Sequence, residues 1–153
     1  MKQAASLLFL LREGEILLGM KKRGFGAGRW NGVGGKPEPG ESIEQTAVRE
    51  CQEEIGVTPS SLQHVASLKF ILHESSAVSE LYVEAYVARE WKGEPTETEE
   101  MAPKWFKLRD IPYKDMWADD IFWLPEVLAG KFVTATFYFD QNDQVIKQQI
   151  KTK

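Results

Sequence analysis

Residues 35–57 constrain the fold of this chain more than any other stretch. The stretch opens with glycines and prolines, which disfavour regular structure, and then becomes amphipathic. Ser42 and Gln45 have the spacing of a capping box, and Gly56 supplies a C-terminal stop. Four apolar residues recur at every fourth position: Ile43, Ala47, Cys51 and Ile55. The pattern predicts a loop that leads into a helix with one buried face.

Three glutamates occupy an adjoining face of this predicted helix. Glu50, Glu53 and Glu54 have the i, i+3, i+4 spacing, so like charges repel by about 0.2–0.5 kcal/mol per pair. The helix dipole also disfavours anions in the last turn. A divalent cation would offset both costs, because hard carboxylate oxygens suit Mg²⁺ and Mn²⁺. The spacing alone leaves a solvated acidic face as the alternative.

The order of residues around these glutamates resembles the signature of the Nudix hydrolases. The matching residues are Gly35, Glu41, Arg49, Glu50, Cys51, Glu53, Glu54, Gly56 and Val57. Cys51 is a mild departure, because that position takes a bulky apolar residue. The resemblance implies an α+β fold, the Nudix α/β/α sandwich, in which helices flank a mixed sheet. It also implies hydrolysis of a nucleoside diphosphate linked to a further group, with metal held by the loop and helix.

Size and charge favour a compact enzyme with a small substrate. A chain of 153 residues suits one domain spanning residues 1–153. The net charge of −4 gives no reason to expect a nucleic-acid partner. The single cysteine excludes an internal disulfide, and the apolar run at residues 4–11 is too short to cross a membrane. We expect a cytoplasmic monomer without membrane association.

The remaining segments alternate between strands and polar connections. Residues 4–11 are continuously apolar, which predicts a strand covered on both faces, with residues 15–20 as its hairpin partner. Further strands are predicted at residues 65–73, 81–88, 104–108, 132–139 and 144–150. A second helix is expected from Asp119 or Asp120 to about Leu128. Polar residues 74–79 and the acidic stretch 91–101 are predicted connections.

The glycine-rich residues 24–29 form a predicted loop that matches neither a P-loop nor a dinucleotide fingerprint. Residues 21–35 and 117–123 resemble the MutT-homologue branch of the Nudix hydrolases, and this similarity covers nearly the whole chain. The branch converts oxidised purine nucleoside triphosphates, such as 8-oxo-dGTP and 2-hydroxy-dATP, to the monophosphate and pyrophosphate. The implied function is to sanitise the nucleotide pool.

The resemblance implies metal-binding positions at Glu50, Glu53, Glu54, Glu100 and the backbone carbonyl of Gly35. Mg²⁺ is the expected cofactor, with Mn²⁺ as an alternative. Arg49 is expected to orient the glutamates through charge-assisted hydrogen bonds. Metal-activated water would then attack a phosphorus in line with the leaving pyrophosphate. Without the family context, Glu100 would be taken for a solvated residue of an acidic loop.

The implied substrate-binding residues are Asn31, Trp117, Asp119, Asp120, Phe25, Lys21, Phe70, Met101 and Trp123. Trp117 is expected to stack on the base, and the Asn31 amide can pair with a purine edge. Asp119 and Asp120 are expected to read the base with one shared proton. The residues alone leave open a turn role for Asn31, helix capping by the aspartates and core packing for the aromatic residues.

The substrate stays open at this stage. Leu72 occupies a position where the family pattern suggests an aromatic wall, so the base preference of this chain can differ. A Nudix hydrolase of a nucleotide sugar, a dinucleotide or capped RNA is the first alternative. A nucleotide-binding module without catalysis is the second, and the intact set of acidic residues argues against it.

Overall fold

A computed structural model describes residues 2–74 and 77–153. The described residues form these elements: β1 (Lys2–Arg12), β2 (Glu15–Lys21), β3 (Trp30–Asn31), α1 (Ile43–Ile55), β4 (Thr58–Pro59), β5 (Leu62–Glu74), β6 (Ala77–Ala88), β7 (Trp91–Lys92), β8 (Met101–Lys107), α2 (Asp120–Leu128), β9 (Val133–Phe139) and β10 (Val145–Thr152). Every long strand and both helices lie where the sequence patterns predict them, with ends shifted by a few residues.

The main sheet is mixed. Its strand order is β10-β9-β5-β6-β1-β2-β3, and β8 also pairs with β2. The pairs β1–β6 and β5–β9 are parallel, whereas β1–β2, β5–β6 and β9–β10 are antiparallel, as the predicted hairpins require. Strands β4 and β7 form a separate two-stranded sheet.

Strand β1 is covered on both faces, which confirms the interpretation of its apolar run. Alternate side chains of a strand point to opposite faces. Leu8 and Leu10 accordingly pack in the core that contains the buried face of α1. Phe9 and Leu11 pack in the second core, with Trp123 and other residues of α2. The two helices therefore flank the sheet, and the expected α/β/α sandwich is confirmed.

Helix α1 begins and ends at the predicted residues. Ser42 and Gln45 form both hydrogen bonds of the capping box, and Gly56 ends the helix with a left-handed φ of 73°. Ala47, Cys51 and Ile55 are fully buried, and Ile43 packs beside them. Burial raises the pKa of the Cys51 thiol to about 12, so this residue acts as a small apolar core residue.

Helix α2 departs from the capping alternative. Asp119 precedes the helix, but its backbone is already helical and its side chain makes no capping hydrogen bond. The carboxylate instead accepts a hydrogen bond from the indole nitrogen of Trp123, at 2.8 Å. Pro125 lies inside the helix, and its carbonyl still accepts a hydrogen bond from Ala129. Asp119 therefore does not cap α2, although aspartate is a preferred capping residue.

Two connections differ from the sequence predictions. Strands β5 and β6 extend to Glu74 and Ala77, and positions 75 and 76 of the predicted connection at 74–79 lie outside the described residues. In the predicted acidic loop, Trp91 and Lys92 pair with β4, and β8 begins at Met101. Within residues 2–74 and 77–153, no helix is long and apolar enough to cross a membrane.

Candidate active site

The loop before α1 is fixed along β1 by backbone hydrogen bonds. The Ser6 amide donates to the Gly35 carbonyl at 2.8 Å, and Leu8 and Val33 exchange two further hydrogen bonds. Gly34 is required at its position, because a β-carbon there would lie 2.0 Å from the Ser6 carbonyl oxygen. This close approach lets the Gly34 amide donate to Oε1 of Glu54 at 2.8 Å. The loop and the helix are therefore joined at a glutamate.

Glu54 is the most deeply buried acidic residue of α1, with 3% of its surface exposed. Burial raises the pKa of its carboxyl to about 7, and the charges of Glu50 and Glu100 act in the same direction. The Gly34 amide and the Lys21 ammonium oppose this rise in pKa. Glu54 therefore sits in a cluster of acidic groups rather than on a solvated face of the helix.

Glu50 lies against the loop. A β-carbon at Gly35 would lie 2.6 Å from Cδ of Glu50, so glycine leaves the space that this carboxylate occupies. Burial raises the pKa of Glu50, and the neighbouring charges of Glu53 and Glu100 raise it further. The Arg49 guanidinium opposes that rise through a hydrogen bond of 2.6 Å.

Arg49 contacts three of the carboxylates. Its Nη1 lies 2.6 Å from Glu50 and 3.2 Å from Glu53, and its Nε lies 2.7 Å from Glu41. Charge-assisted hydrogen bonds of this kind hold both partners in one geometry. The hydrogen bond to Arg49 and a second from Thr46 lower the pKa of Glu41 to about 2. Glu41 thereby anchors Arg49 at the corner between loop and helix.

Glu100 reaches the cluster from the segment before β8. The Thr98 hydroxyl donates to the backbone carbonyl of Glu54 at 2.8 Å and accepts from the Glu100 amide at 3.2 Å. The Glu100 carbonyl accepts a hydrogen bond from the Lys22 amide, and its carboxylate lies 3.8 Å from the Arg23 guanidinium. These contacts bring Glu100 beside α1, although it lies far from that helix in sequence.

The acidic residues lie in one region of the protein, but their carboxylates do not converge on a single point. Among the residues that the structure describes, no three acidic, histidine or cysteine side chains converge closely enough to share an ion. Glu54 turns toward Gly34, whereas Glu50 and Glu53 turn toward Arg49. The donors still fit a hard divalent cation, because they are carboxylate oxygens, and burial together with mutual repulsion raises the pKa of Glu50 and Glu54.

A second acidic centre lies at the start of α2. Asp119 and Asp120 are 3% and 2% exposed, and Oδ2 of Asp120 has no hydrogen-bond partner in the described structure. Burial raises the pKa of Asp119 to about 6, against the hydrogen bond from Trp123. Burial and the charge of Asp119 raise the pKa of Asp120 well above its ordinary value. Two buried carboxyls of this kind can share one proton, and a pair that shares a proton offers both a donor and an acceptor.

Trp117 lies one turn before this pair and contacts the glycine-rich loop. Its carbonyl accepts a hydrogen bond from the Asp120 amide at 3.1 Å. The Phe25 ring, which is 67% exposed, stacks on the indole at 5.0 Å between centroids. The Arg29 guanidinium lies 4.0 Å from the indole centroid. A base that stacks on Trp117 would therefore share the ring with these two side chains.

Asn31 and Lys21 lie on the strands beside the loop. Asn31 belongs to β3 rather than to a turn, and its Oδ1 accepts a hydrogen bond from the Gly32 amide at 2.8 Å. Lys21 ends β2, and its charge lowers the pKa of Glu54, which indicates that the ammonium group lies near the acidic cluster. Both positions remain open to a nucleotide, because both side chains are only partly buried.

Three of the expected pocket residues lie within the protein. Trp123 is fully buried against Phe9 and contacts Asp119, so it supports the aspartate rather than forming an open wall. Met101 is 2% exposed and fills the space that Gly19 leaves on β2. Phe70 is partly buried and stacks on Phe137 at 5.9 Å. All three side chains make core contacts, and their predicted roles as walls of the base pocket stay predictions.

Similarity to known proteins identifies the family of this chain. The NUDIX domain family matches residues 1–127. The oxidized purine nucleoside triphosphate hydrolase of Danio rerio is 41% identical over 145 residues, which are 95% of this chain and 92% of the relative. The chain belongs to the Nudix hydrolases. The Mus musculus hydrolase of the same name is 41% identical over 146 residues, with the same shares of both chains. The resemblance drawn from residues 35–57 is therefore confirmed.

A solved structure supports the Nudix fold. The MutT protein from Bacillus halodurans superposes with a TM-score of 0.86 over 97% of each chain, at 24% identity. Identity at this level shows the fold alone. The mixed sheet with α1 and α2 on its two faces is the architecture that this Nudix hydrolase shares with that protein.

Sequence reasoning missed several residues that shape the site of this Nudix hydrolase. The Gly34 amide, the Thr98 hydroxyl and the ion pair between Arg29 and Asp143 carry no local signal, because their partners lie far away in sequence. Gly34 has the only available clue, since a second glycine directly before the metal-loop glycine suggests a close backbone approach.

Proposed function

We propose that this Nudix hydrolase cleaves oxidised purine nucleoside triphosphates to the monophosphate and pyrophosphate. The observation that carries the proposal is the buried pair Asp119 and Asp120 beside Trp117, with Oδ2 of Asp120 unpaired. An unpaired buried polar atom costs free energy that a ligand hydrogen bond would recover. A purine edge stacked on the indole would supply that partner.

The proposed specificity depends on one proton. If the pair holds a proton at neutral pH, one carboxyl donates a hydrogen bond while the other accepts one. Moving the proton between Asp119 and Asp120 would exchange these roles. Two oxidised bases with different edges, 8-oxoguanine and 2-hydroxyadenine, could then bind in one site. Asn31, on β3, would add an amide contact to the base, and Phe25 would contact the base from the glycine-rich loop.

We propose Mg²⁺ as the cofactor, since Nudix hydrolases generally use divalent cations. Glu50, Glu53, Glu54 and Glu100 would hold it with the Gly35 carbonyl. Bound Mg²⁺ would neutralise phosphate oxygens and lower the pKa of a water. Arg49 would keep Glu50 and Glu53 oriented through the hydrogen bonds described above.

The remaining residues would position the triphosphate. Lys21 lies near Glu54, where its ammonium group can meet a phosphate chain beside the acidic cluster. Lys22 and Arg23 follow it, and both pair with the segment that carries Glu100. Water attack on the phosphorus that bears the nucleoside would release pyrophosphate in line.

The proposal extends to the setting of the reaction. We propose that the chain acts as one domain and a monomer on free nucleotides of the cytoplasm, without a nucleic-acid partner. The net charge of −4 supports a small substrate rather than a polyanion. Gel filtration with light scattering tests the monomer, and a duplex-binding titration tests the absence of a nucleic-acid partner.

Product analysis tests the reaction. With 8-oxo-dGTP, Mg²⁺ and ¹⁸O-labelled water, the proposal expects pyrophosphate and a monophosphate that carries the label. Label in pyrophosphate would place the attack on the second phosphorus, next to the one that bears the nucleoside. Release of orthophosphate would contradict the proposed cleavage. Chelation of the metal should abolish product formation, and added Mg²⁺ should restore it.

A further inference from the structure

Arg29 links two segments that are 114 residues apart in sequence. Its Nη2 donates a hydrogen bond to Oδ2 of Asp143 at 3.3 Å. Its Cζ lies 4.0 Å from the centroid of Trp117. One guanidinium therefore contacts both the indole proposed to stack on the base and the turn between β9 and β10. A planar guanidinium can do both at once, because it stacks through its face and donates through its edge.

The rest of the glycine-rich loop also lies against Trp117. Phe25 stacks on the indole with an interplanar angle of 22°. A β-carbon at Gly26, whose φ is +84°, would lie 3.3 Å from Nε1 of the indole. Glycine therefore permits a close approach that other residues would obstruct. The loop and Trp117 form one packed unit, and the Arg29 side chain extends from it to the turn between β9 and β10.

Asp143 is held by its own turn. The Asp140 carboxylate accepts hydrogen bonds from the amides of Asn142 and Gln144, at 2.8 and 3.0 Å. The Asp143 amide donates to the Asp140 carbonyl at 3.2 Å, and Asp143 has a left-handed φ of 59°. The partner of Arg29 is thus presented by a compact turn. A cavity of about 310 Å³ lies here, with Phe25, Trp117 and Asp143 in its lining.

We propose that Arg29, anchored by Asp143, is a positioning residue that sets how tightly the purine is held on Trp117. This inference rests on the proposed function, because it requires Trp117 to stack on the base. The guanidinium fixes the loop against the indole before the nucleotide arrives, so less ordering remains to be done on binding. Loss of the anchor loosens the loop and weakens nucleotide binding, whereas the acidic cluster keeps its own contacts with Gly34 and Arg49.

The ion pair between Arg29 and Asp143 contributes little to the stability of the fold. The side chains of Arg29 and Asp143 are 34% and 49% exposed, and pairs this exposed contribute little to the stability of a fold. Its position beside the Trp117 ring is therefore the feature that distinguishes it. A role in stability alone predicts that variants have a lower melting temperature with an unchanged KM. The positioning role predicts a higher KM with little change in melting temperature.

Steady-state kinetics separates these roles. In Arg29→Lys, Asp143→Asn and the double variant, KM for 8-oxo-dGTP should rise about 3–10-fold, with kcat within about twofold of wild type. The double variant should be no worse than the poorer single variant, because both changes break one link. An unchanged KM in Arg29→Lys, or additive effects in the double variant, would overturn the proposal.

Arg12→Lys is the matched control. Arg12 also stacks on a tryptophan, at 3.9 Å from the Trp105 centroid, and also pairs with a carboxylate, Glu15, at 2.6 Å. It ends β1, whereas Ser6, which contacts the metal loop, lies near the middle of that strand. The same chemical change there should leave KM unchanged. An equal rise in KM for Arg12→Lys would refute a specific role for Arg29.

Amide hydrogen exchange without nucleotide keeps this inference separate from the proposed function. Exchange at Ala27, Gly28 and Arg29, whose amides donate hydrogen bonds within the loop and to β2, should be faster in Asp143→Asn. The Thr46 amide in α1 should not change. Unchanged loop exchange would overturn the link to Asp143. If wild type turns over no oxidised nucleotide, the proposed function fails even where the loop responds.

Discussion

The Glu50 carboxylate packs so closely on the backbone of Gly35 that a β-carbon at position 35 would lie 2.6 Å from Cδ of Glu50. The glycine is therefore needed for space rather than for an unusual backbone angle. Arg49 holds the same carboxylate from the other direction, at 2.6 Å. The first residue of the Nudix signature and its Arg-Glu pair thus act together to fix one acidic side chain.

Gly35→Ala tests this relationship. The added methyl group should displace the Glu50 carboxylate and lower kcat by about 10–100-fold, which is typical when the support of a metal site is lost. The fold should persist, because the obstructing atoms belong to a side chain that can move. Circular dichroism and kcat measured on the same sample check both statements.

Gly40→Ala provides the control in the same loop. Gly40 has a φ of +80°, and a β-carbon there would meet nothing within 4 Å. The substitution should cost about 1–2 kcal/mol of stability through backbone strain while kcat stays near wild type. A kcat loss in Gly40→Ala equal to that in Gly35→Ala would show that loop strain, rather than the position of Glu50, controls activity.

Glu54→Gln tests the acidic cluster as a metal site. Glutamine keeps an acceptor for the Gly34 amide but removes a buried charge, so the fold should remain stable. Turnover should fall at least about 100-fold, more than for a supporting residue. Millimolar Mg²⁺ should raise the melting temperature of wild type but not of the variant, because the ion binds only the folded cluster.

Glu44→Gln is the matched change on an exposed face of α1, in its first turn. It should keep both turnover and the Mg²⁺-dependent rise in melting temperature. If Glu54→Gln also kept that rise, Glu54 would not be a metal-binding residue. Glu53→Gln should abolish turnover as well with the fold intact, and near-normal activity would remove Glu53 from the metal site.

The aspartate pair predicts a pH dependence of stability. The pKa of Asp119 is raised to about 6 and that of Asp120 well above 3.8, so the folded protein binds protons more tightly than the unfolded chain. Their contribution to stability is therefore fully present at low pH and is lost as pH rises through these pKa values. Asp120→Asn should therefore be more stable than wild type near pH 8.

Urea unfolding at pH values of about 5, 6.5 and 8 measures the difference between the two proteins. The advantage of Asp120→Asn should shrink toward the lowest pH, because Asp120 is then protonated in wild type as well. A difference that is the same at all three pH values would mean that the carboxyl does not titrate in this range. A less stable variant near pH 8 would contradict the raised pKa.

Asp119→Asn should separate the two oxidised substrates. Asparagine cannot exchange a proton with Asp120, so the pair loses one of its two donor and acceptor arrangements. The ratio of kcat/KM for 8-oxo-dGTP to that for 2-hydroxy-dATP should therefore change by about tenfold, as for one lost hydrogen bond to a base. Equal losses on both substrates would count against proton exchange as the source of the dual specificity.

The local parts of this fold could be predicted from sequence because their signals are local. Ser42, Gln45 and Gly56 determine where α1 begins and ends through contacts within a few residues. The continuous apolar run of β1 indicated burial on both faces, which Leu8 and Phe9 now show. The family signature rests on residues of one loop and one helix, so it too was visible without tertiary contacts.

Contacts between distant segments could not be predicted from the residues alone. The spacing of the acidic side chains of α1 predicted that they lie together. Glu54 instead accepts a hydrogen bond from the Gly34 amide, and Glu53 accepts one from Arg49. Trp123 and Met101 are buried in cores whose other members come from remote strands, and their predicted place in the base pocket stays a prediction. Burial of this kind depends on the complete packing of the chain.

The selectivity for oxidised bases tests the central claim most directly. The measurement compares kcat/KM with Mg²⁺ for 8-oxo-dGTP, 2-hydroxy-dATP, dGTP and dATP. A preference of at least about 100-fold for each oxidised nucleotide over its normal counterpart is expected, which corresponds to about 2.8 kcal/mol, the worth of one or two hydrogen bonds to a charged group. Weak turnover that does not depend on oxidation would contradict the proposed substrate and leave only the Nudix chemistry.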